Sequence, residues 1–458
     1  MTDSRIDERK DGRMNDSLSP MQVATLLIVI SAALSWINLK LFKLPQAVGL
    51  LVMGLMGSLT LIAADHYIPY IHFASNLHNA IASIDFFDTV MNGMLSALLF
   101  AAALHVDLRA LRSVKIPIIV LASVGVVIST FIIGGLLWTV GDMLEIGIPL
   151  AWALVFGALI SPTDPVAVLS VLKTVKVPKS LSAKIAGESL FNDGVGLICF
   201  TVMLAIAMAT SGYQFDSHGD LVSVEGSANL LAVAEVFMVE VFGAIVMGTL
   251  AGFLCVKMMK GIDDASVETL MSLALVLGLY TLCMDLHMSG PIAVVIAGLI
   301  LGNFGATYAM SERTKRHLFP FWEMTDSILN AVLFLLIGLE VMVLRIDGSH
   351  SVAALIAIPI VLFGRLVSVL IPVQVLRALG QQFSHGTVRL MTWGGVRGGI
   401  SVALALSLPE VPYKGTILTT TYVVVVFTIV VQGLTIAPLA KVLACRKEKA
   451  VLAATQSA

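Results

Sequence analysis

"SPTDP", Ser161 to Pro165, interrupts an apolar run that extends from about residue 148 to 172. Each proline removes a backbone donor and clashes with the preceding turn, so an α-helix cannot pass through both unbroken. A second apolar run, 388–409, contains "GGVRGG", four glycines around Arg397 at Gly394 to Gly399. Helices broken in mid-run are costly in hydrocarbon and occur where freed backbone groups line a cavity or a transport site. Close helix packing is the plainer use of glycine, but it does not explain the proline pair.

The rest of the chain supplies the membrane. Of 458 residues, 58% are hydrophobic and 13% charged, with a mean hydropathy of +0.95. A soluble domain carries roughly 25% charged residues, so this is an all-α polytopic membrane protein. With 28 basic against 30 acidic residues there is no nucleic-acid footprint. Four dispersed cysteines (Cys199, Cys255, Cys283, Cys445) fit neither a disulfide framework nor a metal site and read as packing residues. No cofactor motif is present.

Runs long enough to cross a bilayer, about 20 residues each, fall near 21–38, 44–64, 89–105, 116–140, 148–172, 183–210, 229–256, 268–286, 291–306, 325–344, 351–376, 388–409 and 416–440. The expected count is therefore about thirteen, with the termini on opposite sides. Alternate connections on one side collect twenty of the 28 Lys and Arg residues and those on the other side only six. Basic loops stay in the cytoplasm, which predicts an outside N-terminus and a cytoplasmic C-terminus. The first apolar run lacks a small-residue cleavage site and is expected to remain as a helix.

Thirteen spans divide into six, one and six. The two broken runs are then fifth in each unit, and the units have opposite orientation, as in inverted-repeat transporters. The expected division is a polar tail (1–20), a membrane domain (21–443) and a short cytoplasmic tail (444–458). The membrane domain splits into a first repeat (21–210), a linking helix (229–256) and a second repeat (268–443).

Ionisable residues at membrane depth are functional hypotheses. Five stand out: Asp164, Glu188, Asp193, Arg365 and Arg397. At a rise of about 1.5 Å per residue, Asp193 lies about 15 Å into its span, near the bilayer centre, and Glu188 about 8 Å in. Arg365 comes to about 9 Å from the same cytoplasmic face, so Glu188 and Arg365 are expected to form a structural ion pair. Ser189, Asn192 and Asp193 share a helical face. With Thr163 and Asp164 of the broken span they make an oxygen-lined pocket, and sodium prefers oxygen ligands. Burial and a second carboxylate both favour the neutral acid, so a proton and a cation would compete at Asp164 and Asp193. Asp164 as a simple helix cap is the plainer alternative, but a cap leaves Asp193 unexplained. Asp326 and Glu340 are expected near the ends of the tenth span and to reach the membrane interface, Glu235 and Glu240 at a bundle or dimer interface, and His105 and Asp107 at the end of the third span before a basic loop.

The segments "SPTDPVAVLSVLK" (161–173), "GESLFNDGVGLICF" (187–200), "GPIAVVIAGLILGN" (290–303), "LNAVLFLLIGLE" (329–340), "GRLVSV" (364–369) and "GGVRGGISVALALSLP" (394–409) closely resemble the monovalent cation:proton antiporter family. That family includes bacterial sodium/proton antiporters and animal sodium/proton exchangers, and the similarity runs from the first span to the thirteenth. The resemblance implies that Asp193 is the principal carboxylate for cation and proton, with Asp164, Thr163 and Ser189 completing the site. Asn192-Asp193 looks like the Asn-Asp pair of the electroneutral branch, which implies one proton per sodium ion. It also implies an alternating-access, elevator-like homodimer, and gives Arg397 the part of compensating unwound carbonyl ends. One departure is Ala101, where the family often has glutamate. The short tail lacks the long regulatory region of animal exchangers, which points to a bacterial inner membrane.

The expected function is thus sodium/proton antiport, with potassium or lithium as alternative cations. A cation channel and an intramembrane aspartyl hydrolase are the rivals from other classes. "GESLF" lacks the second glycine of a nucleophile elbow, and an ATP-driven pump is excluded because no Gly-Lys dipeptide exists for a P-loop.

Overall fold

The computed structural model describes residues 20–67, 89–106, 115–165, 168, 179–211, 213–215, 221–223, 230–341, 348–383 and 386–443. Both tails and most of the second half of the broken fifth span lie outside the described residues, as do Asp107 and Cys445.

The chain folds into helices α1 (Pro20–Ile37), α2 (Gln46–Tyr67), α3 (Leu95–Leu104), α4 (Lys115–Met143), α5 (Leu150–Ile160), α6 (Lys179–Thr210) and α7 (Leu230–Met259). Then follow α8 (Ala265–Asp285), α9 (Gly290–Ile300), α10 (Glu312–Glu340), α11 (Gly348–Ala378), α12 (Thr387–Trp393), α13 (Gly399–Leu406) and α14 (Lys414–Phe427). A three-residue antiparallel hairpin, Tyr213–Phe215 with Leu221–Ser223, decorates the α6–α7 connection. Among the described residues ten helical stretches are long and apolar enough to cross a membrane, and α3 and α5 are shorter apolar helices. The run 388–409 divides into α12 and α13 around the non-helical Gly394–Gly398.

Helices α4, α5 and α6 pack on one another, α11 lies against α4, α12 and α14, and α13 sits between α5 and α14. A second group joins α2 to α10, and α3, α7 and α8 to α9. With no hydrophobic drive between helices in lipid, close backbone approach has to supply the packing. Gly54 of α2 faces Gly338 of α10, where an added Cβ would come within 3.2 Å of the opposite Cα. Large apolar side chains such as Phe131, Trp138, Phe242, Leu355 and Phe363 are exposed on the outside, as a lipid-facing surface requires.

The tenth helix differs from expectation. α10 starts at Glu312, well before the expected 325, because Ser311 caps its first turn by accepting from the Thr314 amide at 3.2 Å. Asp326 is consequently mid-helix, not near an end, and Glu340 at the far end is buried rather than reaching the interface. The basic residues of the first turns mask this half in a hydropathy count, although its helical pattern is continuous.

Candidate functional site

The two chain breaks touch. After α5 ends, Ser161 to Pro165 run in non-helical backbone, and the Asp164 amide donates to the Val396 carbonyl at 2.8 Å. Arg397 is fully buried, and its Nη1 donates to the carbonyl of Ser161 and, at 3.0 Å, to that of Pro162. A helix C-terminus carries partial negative charge and orphan carbonyls, and this guanidinium answers both. The Arg397 amide in turn donates to Thr428 Oγ1 at 3.1 Å, anchoring the second break to α14 and its continuation. Gly398 is required at the crossing, since a Cβ there would stand 2.8 Å from Asp164 Cβ and 2.9 Å from its Oδ2.

α6 brings its polar residues to the same place. Asn192 is fully buried; its Nδ2 donates to Thr163 Oγ1 at 2.8 Å and to Glu188 Oε1 at 3.2 Å, and its Oδ1 accepts from the Thr163 amide at 3.3 Å. Thr163 Oγ1 lies 3.2 Å from Ser189 Oγ. The amide and hydroxyls thereby hold the irregular backbone of the break against a regular helix. Glu188 and Arg365, both buried, form a two-pronged pair: Nη1 donates to Oε1 at 2.6 Å and Nη2 to Oε2 at 2.8 Å. This pins α6 to α11.

Asp193 is different. It is half-buried and has no hydrogen-bond or ion-pair partner among the described residues. With Asp164 it lines a cavity of about 500 Å³ that also meets Ala101, His105, Glu323, Asp326 and Asn330. Of the residues expected to bind ions, Asp164 and Asp193 reach the cavity wall, while Thr163, Ser189 and Asn192 stand buried behind them. Among the described residues four carboxylates (Asp164, Asp193, Glu323 and Asp326) therefore face one cavity. Its low-dielectric walls concentrate their field and attract cations.

The sequence reading missed Glu323, Asp326 and Asn330 as cavity residues. They recur at helical spacing on one face of α10, and Asn330 Nδ2 donates to Asp326 Oδ1 at 3.0 Å. Reading α10 as one helix from 312 would have revealed that face. His105, expected only to end its span, also lines the cavity, its Nδ1 2.7 Å from the Ala101 carbonyl.

Comparison with known proteins places this architecture. A family profile described as "Sodium/hydrogen exchanger, transmembrane" matches residues 27–442. The sodium/proton antiporter NhaP of Pseudomonas aeruginosa is 42% identical over 424 residues, covering 92% of this chain and 96% of that protein. NhaH of Halobacillus dabanensis is 34% identical over 421 residues, covering 91% and 96%. The solved structure of the sodium proton antiporter MjNhaP1 from Methanocaldococcus jannaschii superposes with a TM-score of 0.67 at 18% identity, covering 91% of this chain and all of that one. The chain belongs to the transmembrane sodium/hydrogen exchanger family and is a transporter, not an enzyme.

Proposed function

We propose that the protein exchanges one Na⁺ for one H⁺ by alternating access, with Asp193 carrying both ions in turn and Asp164 sharing the cation. The observation that carries this reading is the contrast within α6. Glu188 and Asn192 spend their hydrogen-bonding capacity on Arg365 and Thr163, whereas Asp193 has no such partner and faces the acidic cavity. A carboxylate without a fixed counter-charge takes either a proton or a cation, and mutual exclusion at one site is what couples the two flows. The Thr163 and Ser189 hydroxyls and the Asn192 amide hold the break in place, and the hydroxyls are the next oxygen ligands for a cation that sheds water.

Electroneutral stoichiometry is supported by Asn192, a neutral amide beside the carrier aspartate. The basic connections support a cytoplasmic C-terminus, and on that orientation the cavity runs toward the cytoplasmic end of α10. The matching positions of the two breaks support inverted six-helix repeats within thirteen crossings. A homodimer in a bacterial inner membrane is the assembly and setting that the family resemblance supports.

The test is proton movement in proteoliposomes of the purified protein, with a pH dye inside and Na⁺, Li⁺ or K⁺ added, with and without a permeant-ion voltage clamp. The proposal expects Na⁺-driven proton flux that the clamp leaves unchanged. Flux that scales with voltage would overturn the one-to-one stoichiometry. No flux with any cation, from folded protein, would overturn antiport. Potassium or lithium outperforming sodium would reassign the cargo.

A further inference from the structure

At the start of α8 and α10, four oxygen groups form a line from the interior to solvent. Glu268 is fully buried, and its Oε1 lies 2.8 Å from Thr314 Oγ1. Thr314 Oγ1 is 3.2 Å from Ser311 Oγ, which is 2.6 Å from Oδ1 of the exposed Asp263. None of the four lines the transport cavity.

Three contacts in series require three protons, and the two hydroxyls supply two. With both carboxylates ionised, Thr314 donates to Glu268 and Ser311 donates to Asp263, and the contact between the hydroxyls holds no proton. The Thr314 amide cannot supply that proton between the hydroxyls, because it donates to Ser311 Oγ by itself. A proton on Glu268 completes the line in one direction, from Glu268 to Thr314 to Ser311 to Asp263. Placing it on Asp263 would complete the reverse line, but would leave the charge on the buried acid and discharge the hydrated one, the costlier arrangement.

The surroundings supply Glu268 with no counter-charge. Glu268 Oε2 is buried with no hydrogen-bond partner, and no Lys or Arg among the described residues pairs with this carboxyl. The titratable groups facing it are Asp263 and Asp264 in the preceding loop and Cys255 on α7. Asp264 is already the N-cap of α8, accepting from the Ser266 and Val267 amides. On α10, Glu312, Arg313, Arg316 and His317 are exposed and Lys315 pairs with Glu312. Tyr308, in the segment that follows α9, is exposed, and α3 contains no titratable side chain. An ionised carboxylate so placed, without a counter-charge, would be expensive.

We propose that Glu268 is a second proton-binding site, outside the transport cavity, that exchanges with water through Thr314, Ser311 and Asp263 and holds the first turns of α10 against α8. On release, Glu268 gives its proton to Thr314 Oγ1 as Thr314 passes its own to Ser311 and Ser311 passes its own to the Asp263 carboxylate. Both hydroxyls stay neutral throughout. The charge then left on Glu268 has no counter-ion, so the α8–α10 contact loosens to admit water. Further along the same contact Trp322 Nε1 donates to Ser272 Oγ at 3.0 Å, and the next residue, Glu323, lies on the cavity wall. Occupancy of the Glu268 site therefore bears on that wall, whichever cation the cavity takes.

The test is infrared difference spectroscopy of the purified full-length protein between acid and alkaline pH, with hydrogen–deuterium exchange read by mass spectrometry across α10. A protonated-carboxyl C=O component that vanishes on alkalinisation of the wild type should be missing in Glu268→Gln and persist in Asp193→Asn, which removes the carrier's own component. Amides of the first turns of α10 should exchange faster at high pH than chemistry alone dictates, and Glu268→Gln should abolish that excess. Thr314→Val, which removes the hydrogen bond without touching the acid, should shift the band; it serves equally if Glu268→Gln does not fold. Superimposable wild-type and Glu268→Gln spectra, or an unshifted band in Thr314→Val, would overturn the proposal. Displacement by Na⁺ at constant pH of the component that survives in Asp193→Asn would overturn it too, making the site one for a cation.

Discussion

Arg365 grips Glu188 with both terminal nitrogens, at 2.6 and 2.8 Å, and the pair is sealed from water, Glu188 at 1% and Arg365 at 6% exposure. Such a pair adds little net stability over an apolar substitute, but breaking it strands a charge at a cost of about 3–5 kcal/mol. Glu188→Gln and Arg365→Gln should each lower the yield and thermal midpoint of detergent-solubilised protein. The double variant should recover part of the loss, because no unpaired charge remains. Wild-type thermal stability in either single variant, with transport lost, would move this pair from scaffold to transport site.

Asp193→Asn should leave the fold intact and abolish coupled exchange, since its carboxylate bonds to no described residue. Thermal stability and sodium-driven proton flux, measured on the same preparation, separate the two. Residual exchange above a tenth of wild type would remove Asp193 from the carrier role.

Gly398→Ala should act through Asp164. The added methyl group would sit 2.8 Å from Asp164 Cβ and 2.9 Å from Oδ2, so the carboxylate must shift or the crossing must open. The expected result is a several-fold rise in the KM for Na⁺ with expression retained. An unchanged KM would mean that Asp164 can be displaced without consequence for the cation.

Asp326→Asn removes a negative charge from the cavity wall while keeping a group able to hydrogen-bond Asn330. The KM for Na⁺ should rise at low ionic strength and approach that of wild type at high ionic strength, with maximal rate nearly constant, because the effect is long-range and screened. A loss of maximal rate that salt does not relieve would place Asp326 among the direct ligands.

Competition for one site sets the sign of the pH dependence. At low pH the carrier acid is protonated and closed to Na⁺, so the apparent KM for Na⁺ should fall as pH rises. In the fully competitive range the change is about tenfold per pH unit, by linkage. A KM indifferent to pH across the active range would show that proton and cation occupy separate groups.

Much of this was legible in the linear chain because the bilayer imposes one-dimensional rules. Hydropathy located the helices, prolines and glycines located the breaks, and counting residues from the membrane face paired Glu188 with Arg365. Those inferences need only the rise of a helix and the cost of a buried charge. What the tertiary structure decided was which oxygens face the cavity and which face each other. Thr163, Ser189 and Asn192 carry the same ligand chemistry as Asp164 and Asp193, yet they bond among themselves behind the wall. Likewise the Asp326 face of α10 and the proton line at Glu268 arise from contacts between helices distant in sequence. Spacing along one helix fixes which residues share a face, but the direction a face looks is set by neighbours whose packing no local pattern encodes.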